Sequence, residues 1–224
     1  MTPERFARLR STLARRQPDL TLLLDNVRKA HNFSALLRTC DAVGIHEVHG
    51  VWPSAQPRPI GVTSSGAQKW LTVTTHETIE RAVSQLKAHS LQVVAAHIGT
   101  QSIDYREINY TRPTAVVLGA ELGGVGETAL RCADAHVSIA MQGMVESLNL
   151  SVAAAVILFE AQRQRLVAGM YRQRRLPDAQ YTRTLFEWAH PKVAQHCQRH
   201  GLAYPLLDAS GGIDEKFDGK MSPK

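Results

Sequence analysis

Short apolar runs rich in branched residues recur along the chain, at Thr21 to Leu24, Glu47 to Val51, Trp70 to Thr74, Leu91 to His97, Thr114 to Leu118 and His136 to Ala140. Several are apolar on both faces, the pattern of strands covered on both sides in a parallel sheet. Stretches with helical spacing fall between them: His31 to Val43, ended by Gly44; Glu77 to His89; the shorter Glu127 to Ala133; and Leu150 to Val167. The last is the longest, with Val152, Val156 and Phe159 at helical spacing. Strands alternating with helices restrict the chain to an α/β three-layer domain. The expected boundaries are a basic helical extension at 1–18, the α/β domain at 19–167 and a helical extension at 168–207 (Tyr181 to Trp188, then Pro191 to His200). A Gly-rich, charged and disordered tail is expected at 208–224. No internal repeat is present.

With 224 residues and 44% apolar content, the chain can bury a full core as one domain with terminal additions. No run approaches the roughly 18 apolar residues of a membrane span. The N-terminus carries Arg5, Arg8, Arg10, Arg15 and Arg16 without an apolar core segment, which excludes a secretory signal. Ser11 is its only serine, against the composition of a mitochondrial presequence. Cys40, Cys132 and Cys197 are far apart and show no CxxC spacing, so free thiols in a reducing, cytoplasmic setting are expected and a metal is not.

The net charge of +6 is unevenly placed. One basic cluster is the N-terminal segment; the other runs through Arg163, Arg165, Arg172, Arg174 and Arg175 with no acidic residue among them. Arginine makes paired hydrogen bonds to phosphate that lysine cannot, so Arg8, Arg10, Arg15, Arg16, Arg163, Arg165, Arg172 and Arg174 are candidate phosphate contacts. A solvated helix face is the competing reading, and basic charge alone does not choose between them.

Three motifs carry the candidate chemistry. The first, Asn32-Phe33-Ser34-Ala35-Leu36-Leu37-Arg38-Thr39-Cys40-Asp41-Ala42-Val43-Gly44, places Asn32 where an N-cap belongs and Arg38 six residues on, its stem expected to cross an apolar surface. The second, Val116 to Glu127, is an apolar strand running into the glycine-rich loop Gly119-Ala120-Glu121-Leu122-Gly123-Gly124-Val125-Gly126. Gly124 to Ala129 formally matches a dinucleotide fingerprint. Its first glycine should close the strand, which instead ends near Gly119, and the ribose-binding acid is missing at the end of the next strand. The third is Met144-Val145-Glu146-Ser147-Leu148-Asn149-Leu150-Ser151-Val152-Ala153-Ala154-Ala155, where Ser and Asn can cap the opening of an Ala-rich helix. His31 is an alternative base but reads better as a capping or packing residue. His196 and His200, at i,i+4 spacing without a third ligand, read as surface residues.

Taken together and in this order, the three motifs resemble the SpoU (TrmH) branch of the SPOUT superfamily of S-adenosylmethionine-dependent RNA ribose 2′-O-methyltransferases. The resemblance spans about residues 20–167 and continues through Glu160 to Arg165 and Gly169-Met170-Tyr171. It implies a parallel-sheet α/β domain with a C-terminal deep trefoil knot (a class IV methyltransferase), a homodimer packed through the Ala-rich helix, and methylation of a guanosine ribose in the tRNA D-loop, at position 18. It also implies S-adenosylmethionine lying bent against Ala96, Gly119, Ile139, Met144, Ser147 and Leu148, without a metal. The catalytic set it implies is Arg38, Asn32, Glu121, Ser147 and Asn149: Glu121 would help anchor the pocket, and Ser147 and Asn149 would orient Arg38 or the target ribose, while the arginines of the two basic clusters would contact RNA phosphates. Arg38 is the residue the family makes central. A guanidinium is essentially always protonated, so its expected role is to bind a substrate phosphate and stabilise charge developing on the 2′ oxygen. The proton would pass to that phosphate or, transiently, to arginine. Ribosomal RNA ribose methylation and non-catalytic RNA binding on the same fold are the rival functions. Many ribosomal relatives carry an added N-terminal domain, whereas about twenty residues precede the first strand here.

Overall fold

The computed structural model describes residues 1–52, 66–121 and 123–213. Two compact units are present, one built from Gln17–Met170 and one from Met1–Arg16 with the residues from Tyr171 on. The elements run α1 (Pro3–Ala14), β1 (Leu20–Asp25), α2 (Ala30–Val43), β2 (Glu47–Val51), β3 (Thr72–His76), α3 (Ile79–Ala88), β4 (Gln92–Ala96), β5 (Ile103–Asp104), β6 (Thr114–Leu118), α4 (Glu127–Cys132), β7 (Ala135–Ser138), α5 (Leu150–Val167), α6 (Asp178–Ala189) and α7 (Pro191–His200).

The central unit holds a seven-stranded sheet in the order β3-β2-β1-β6-β4-β7-β5, with every named pairing parallel. Alternation along β1 explains the two cores. Leu20, Leu22 and Leu24 face α2 and α5, meeting Leu36, Leu37, Cys40, Ile157 and Leu158. Leu23 faces the other way, into a second cluster with Ala82, Val83 and Leu86 of α3 and Ala129 of α4. Helices on both faces of a parallel sheet give the expected three layers.

Most elements match the apolar pattern to within two residues. The strand expected at Trp70 to Thr74 begins later because Ala67–Lys69 form a 3-10 turn closed by Trp70 N donating to Ala67 O at 2.9 Å. The two-residue β5 is too short to leave a periodic signal. Gly44 ends α2 with φ 84°, the left-handed cap that glycine adopts without penalty.

Two features of α5 emerge only in the structure. Val152 and Phe159 are about half exposed, and the buried face is Ala154, Ile157, Leu158, Ala161 and Arg165. Ala154 therefore packs in the chain's own core, rather than on an outer helix-packing surface. Arg165 is not a surface cation at all. It is fully buried, donating from Nη1 to Asp19 Oδ1 at 2.7 Å and Gln17 Oε1 at 3.1 Å, from Nε to Tyr110 O at 2.9 Å, and from Nη2 to Asp19 O and Arg112 O. One guanidinium thus joins α5 to the segments entering β1 and β6 and has no donor left for RNA.

In the other unit, Phe6, Leu9 and Leu13 form the buried face of α1, which packs on α6. Thr2 caps α1 by accepting from Arg5 N. Arg16 is also buried, 5.2 Å over the Trp188 ring, so it too is withdrawn from the expected phosphate contacts. Of the tail expected from Asp208 on, residues 208–213 form a turn in which Asp208 Oδ1 accepts from Ser210 N and Gly212 N. The rest lies outside the described residues. Cys40, Cys132 and Cys197 are free thiols. No helix among the described residues is long and apolar enough to cross a membrane.

At the β2–β3 edge, His49 Nδ1 and His76 Nε2 lie 2.9 Å apart and both rings are buried. Burial holds both below the ordinary imidazole range; Glu47 opposes this for both, and His76 and His89 add to it for His49. In the unfolded chain these groups take up protons near pH 6.5, where the folded chain does not. Their contribution is therefore complete above that pH and is lost as pH falls from it through the lower folded-state values. The urea midpoint should drop between pH 7.5 and 5.5, and the His49→Gln/His76→Gln variant should show a shallower drop; an unchanged slope would refute the assignment. Separately, Arg165→Ala strands Asp19 and several carbonyls, and should cost about 3–5 kcal/mol in denaturant unfolding.

Candidate active site

The three sequence motifs meet at the carboxyl ends of β6, β4 and β7, where ligands bind in open parallel sheets. They surround a cavity of about 640 Å³, within the size range of small-molecule sites. Its walls are three loops: Ala96 to Ile98 at the end of β4, Gly119 to Glu121 with Gly123 to Val125 after β6, and Ile139, Met141 and Ser147 to Asn149 after β7. Asn32 of the first motif, with Lys29 just before that motif, closes one side.

The glycine loop is shaped by backbone contact. A Cβ on Gly119 would stand 1.8 Å from Gly124 O, so only glycine allows the loop to fold onto itself there. Gly124 N donates to Ala120 O at 2.8 Å, and Gly124 takes a φ of 64°.

A chain of hydrogen bonds ties the motifs together. Glu121 Oε1 accepts from Lys29 N at 3.3 Å and from Asn32 Nδ2 at 2.9 Å. Asn149 Nδ2 donates to Asn32 Oδ1 at 3.3 Å, while Asn149 Oδ1 accepts from Ser151 N at 2.9 Å and Ser151 Oγ at 2.6 Å. Asn149 is thus the N-cap of α5, as the sequence suggests. Asn32 is not the N-cap of α2. That helix begins at Ala30 after Lys29, with no cap from its own side chains, and Asn32 is buried in the first turn. The capping acceptor is Glu121, brought from the glycine loop; a negative charge there also suits the helix dipole. Burial pushes the Glu121 carboxyl up, but the bonds from Asn32 and from backbone N–H groups outweigh it and hold the group below its ordinary value.

Ala96, Gly119, Glu121, Ile139, Ser147, Leu148, Asn32 and Asn149 all line the cavity. Met144 does not: it is 99% exposed, and Met141 lines the wall instead. Arg38 is exposed on the outward stripe of α2, with His31, and lies outside the lining. Six residues beyond Asn32 it stands about 120° away around the helix axis, off the side that carries Asn32. The Asn149 side chain bonds to Asn32 and Ser151, not to Arg38. Lys29, His97 and Met141 were missed in the sequence; their positions beyond strand ends were the available signal. A second cavity, of about 710 Å³, lies within the terminal unit among Phe6, Tyr181, Phe186 and Tyr204, and includes none of the three motifs. Among the described residues, no group of three or more His, Cys, Asp or Glu is placed to hold a metal.

The model of the SpoU rRNA Methylase family matches residues 19–159, and that of the SpoU, rRNA methylase, C-terminal family matches residues 163–216. The chain belongs to the SpoU methylase family. It is 48% identical over 220 residues to the tRNA (guanosine(18)-2'-O)-methyltransferase of Escherichia coli (strain K12), covering 97% of this chain and 96% of that protein. Its identity to the enzyme of that name from Thermus thermophilus is 50% over 187 residues, 84% of this chain and 96% of that one. The fold superposes on the TrmH/SpoU tRNA modifying enzyme of A. aeolicus with a TM-score of 0.79 at 38% identity, covering 85% of this chain and 97% of that chain. A SpoU methyltransferase, AviRb from Streptomyces viridochromogenes, solved with AdoMet, superposes with a TM-score of 0.60 at 26% identity, over 67% of this chain and 62% of that chain.

In this SpoU cavity, Glu121→Ala leaves Lys29 N and Asn32 Nδ2 without their acceptor, whereas Glu121→Gln keeps one. AdoMet affinity measured by calorimetry should fall at least tenfold in the alanine variant and less in the glutamine variant. Equal affinities in all three proteins would refute the capping role.

Proposed function

We propose that this chain methylates the ribose 2′-hydroxyl of guanosine 18 in tRNA, with S-adenosylmethionine as donor. The observation that carries the reading is the convergence of all three motifs on one cavity, in a chain matched nearly end to end by tRNA (guanosine(18)-2'-O)-methyltransferases. A ribosomal relative, the 23S rRNA (guanosine-2'-O-)-methyltransferase RlmB of Nitrosomonas europaea, is matched at 38% identity over 57% of its length, which favours tRNA over rRNA.

The lining suits the donor. Loop backbone would offer donors and acceptors to an adenine edge, Ile139, Leu148 and Val137 would give apolar contact, and Glu121 would supply an anion suited to a cationic donor. When bound, the donor supplies an electrophilic methyl group whose leaving group becomes neutral, so the protein need supply only alignment and a path for the hydroxyl proton. Ser147 stands in the wall and is free to orient the ribose, while Asn149 fixes that wall.

Arg38 binds a substrate phosphate and stabilises charge developing on the 2′ oxygen. Because it lies outside the lining within one chain, this role calls on a homodimer. Val152, Phe159 and Leu166 form a half-exposed apolar stripe on α5. Gln162 of the same helix donates to Ala42 O, beside the α2 stripe that carries Arg38. A second copy covering the apolar stripe would bring Arg38 to an interface, where it can serve the partner's cavity. A deep trefoil knot is part of the same proposal, supported by the approach of the loops after β6 and β7 around one cavity. A cytoplasmic location fits the free cysteines.

For tRNA docking, Arg8, Arg10, Arg15, Arg172 and Arg174 are exposed in the terminal unit, and Arg163 is exposed on α5, paired with Glu160 at 2.8 Å. Arg174 also pairs with Asp178 and lies 4.5 Å over the Tyr181 ring. Arg38→Ala should lower kcat by about 100-fold or more with AdoMet affinity unchanged; turnover within a fewfold of wild type would remove the assignment. Arg10→Ala should weaken tRNA binding and reduce the slope of log affinity against log salt by about one.

A further inference from the structure

We propose that Asp25 is a positioning residue for methyl transfer: it holds the glycine loop of the donor cavity through the Gly126 N–H, while lying outside the cavity itself. The inference rests on reading that cavity as the donor site. Asp25 is the last residue of β1, and its Oδ2 accepts from Gly126 N at 2.9 Å across 101 residues of sequence. Gly126 stands at the N-cap of α4, and the residue at N3, the position from which a Glu or Gln could accept from the N-cap N–H, is Ala129. The Gly126 N–H is received instead by Asp25, from another segment.

The loop between Gly119 and Gly126 needs such a tie at each end. At its start, Gly119 is locked against the backbone of Gly124 and Val125. In its middle, Gly123 and Gly124 are exposed, and a Cβ on either would meet nothing within 4 Å. At its far end, Val125 is anchored in the second core and Gly126 is held by Asp25. The partner segment, from Asp25 into α2, also receives a tie from the loop: Glu121 accepts from Lys29 N and Asn32 Nδ2. Two carboxylates thus reach in opposite directions across one gap, Asp25 toward the loop and Glu121 toward the α2 entry. Asn26 fixes that entry, taking a φ of 58° and donating from its N to Val51 O at 2.9 Å. Holding residues 119–121 and 123–126 from both sides before the donor arrives removes the cost of fixing them from binding.

The test compares full-length wild type with Asp25→Ala, Asp25→Asn, Gly126→Ala and the Asp25→Ala/Gly126→Ala double variant. Each is assayed for AdoMet Kd by calorimetry, for KM of AdoMet and of tRNA, for kcat, and for amide exchange. Asp25→Ala should raise Kd and KM for AdoMet about tenfold, leave KM for tRNA within twofold, and speed exchange at Val125 and Gly126 but not in α3. Asp25→Asn keeps an oxygen acceptor and should recover to within about threefold of wild type. A Cβ at residue 126 would stand 3.0 Å from Asp25 Oδ2, so Gly126→Ala should reproduce the loss with Asp25 present. The double variant should be no worse than either single change, as expected for two sides of one contact. The proposal is overturned if Asp25→Ala binds AdoMet within twofold of wild type, if the asparagine variant is as impaired as the alanine variant, or if the losses add. Wild type that binds no AdoMet would sink the donor-site reading instead, and amide exchange at Gly126 would still decide whether Asp25 orders the loop.

Discussion

Two helix N-termini, those of α2 and α5, present unpaired donors at one point, and a single polar chain satisfies both. Glu121 takes the Lys29 amide and the Asn32 side chain, Asn32 accepts from Asn149, and Asn149 caps Ser151. Each member comes from a different motif, so the cavity wall is complete only when all three segments are in place. A buried or half-buried amide left unpaired costs about 1–3 kcal/mol, which makes the chain cooperative: loss of one member strands the next. The site is assembled by the same bonds that start the helices.

The sheet makes this convergence possible. β6, β4 and β7 lie side by side and parallel, so the loops that follow them emerge at one edge. Apolar side chains on alternate faces of β1 root the unit in two cores, and Arg165 substitutes for apolar packing where α5 crosses the entries to β1 and β6. That guanidinium illustrates how the same residue type serves opposite ends. Counted in the sequence, residues 1–16 and 171–224 hold 14 Lys and Arg against 7 Asp and Glu, and residues 17–170 hold 12 against 13. The positive charge that could attract RNA is therefore concentrated in the terminal unit. Inside the central unit, the conspicuous arginine is structural.

Legibility differed by feature for physical reasons. Strands buried on both faces leave continuous apolar runs, so β2 and β6 could be bounded to the residue from sequence, while the two-residue β5 leaves none. Helix ends set by local chemistry, such as Gly44 after α2 and Asn149 before α5, were equally legible. The start of α2 was not, because its acceptor is Glu121, 92 residues from Lys29. Which face of α5 is buried was not legible either: Val152, Val156 and Phe159 stand at helical spacing, yet Val152 and Phe159 are about half exposed. Periodicity reports that a helix is amphipathic and cannot say what covers its apolar side. Met144 and Met141 flank the same glycine, and only the path of the chain decides which turns inward.

By itself the sequence determined the parallel α/β architecture, the order of the elements and the three motifs that build the cavity, because hydrophobic period, glycine and capping residues act over a few neighbouring positions. The tertiary structure alone decided that Asn32 bonds to Glu121 instead of capping its own helix, that Arg16 and Arg165 are buried while Arg38 is not, and that Asp25 reaches Gly126. Those outcomes depend on distances between residues far apart in the chain, and packing sets such distances.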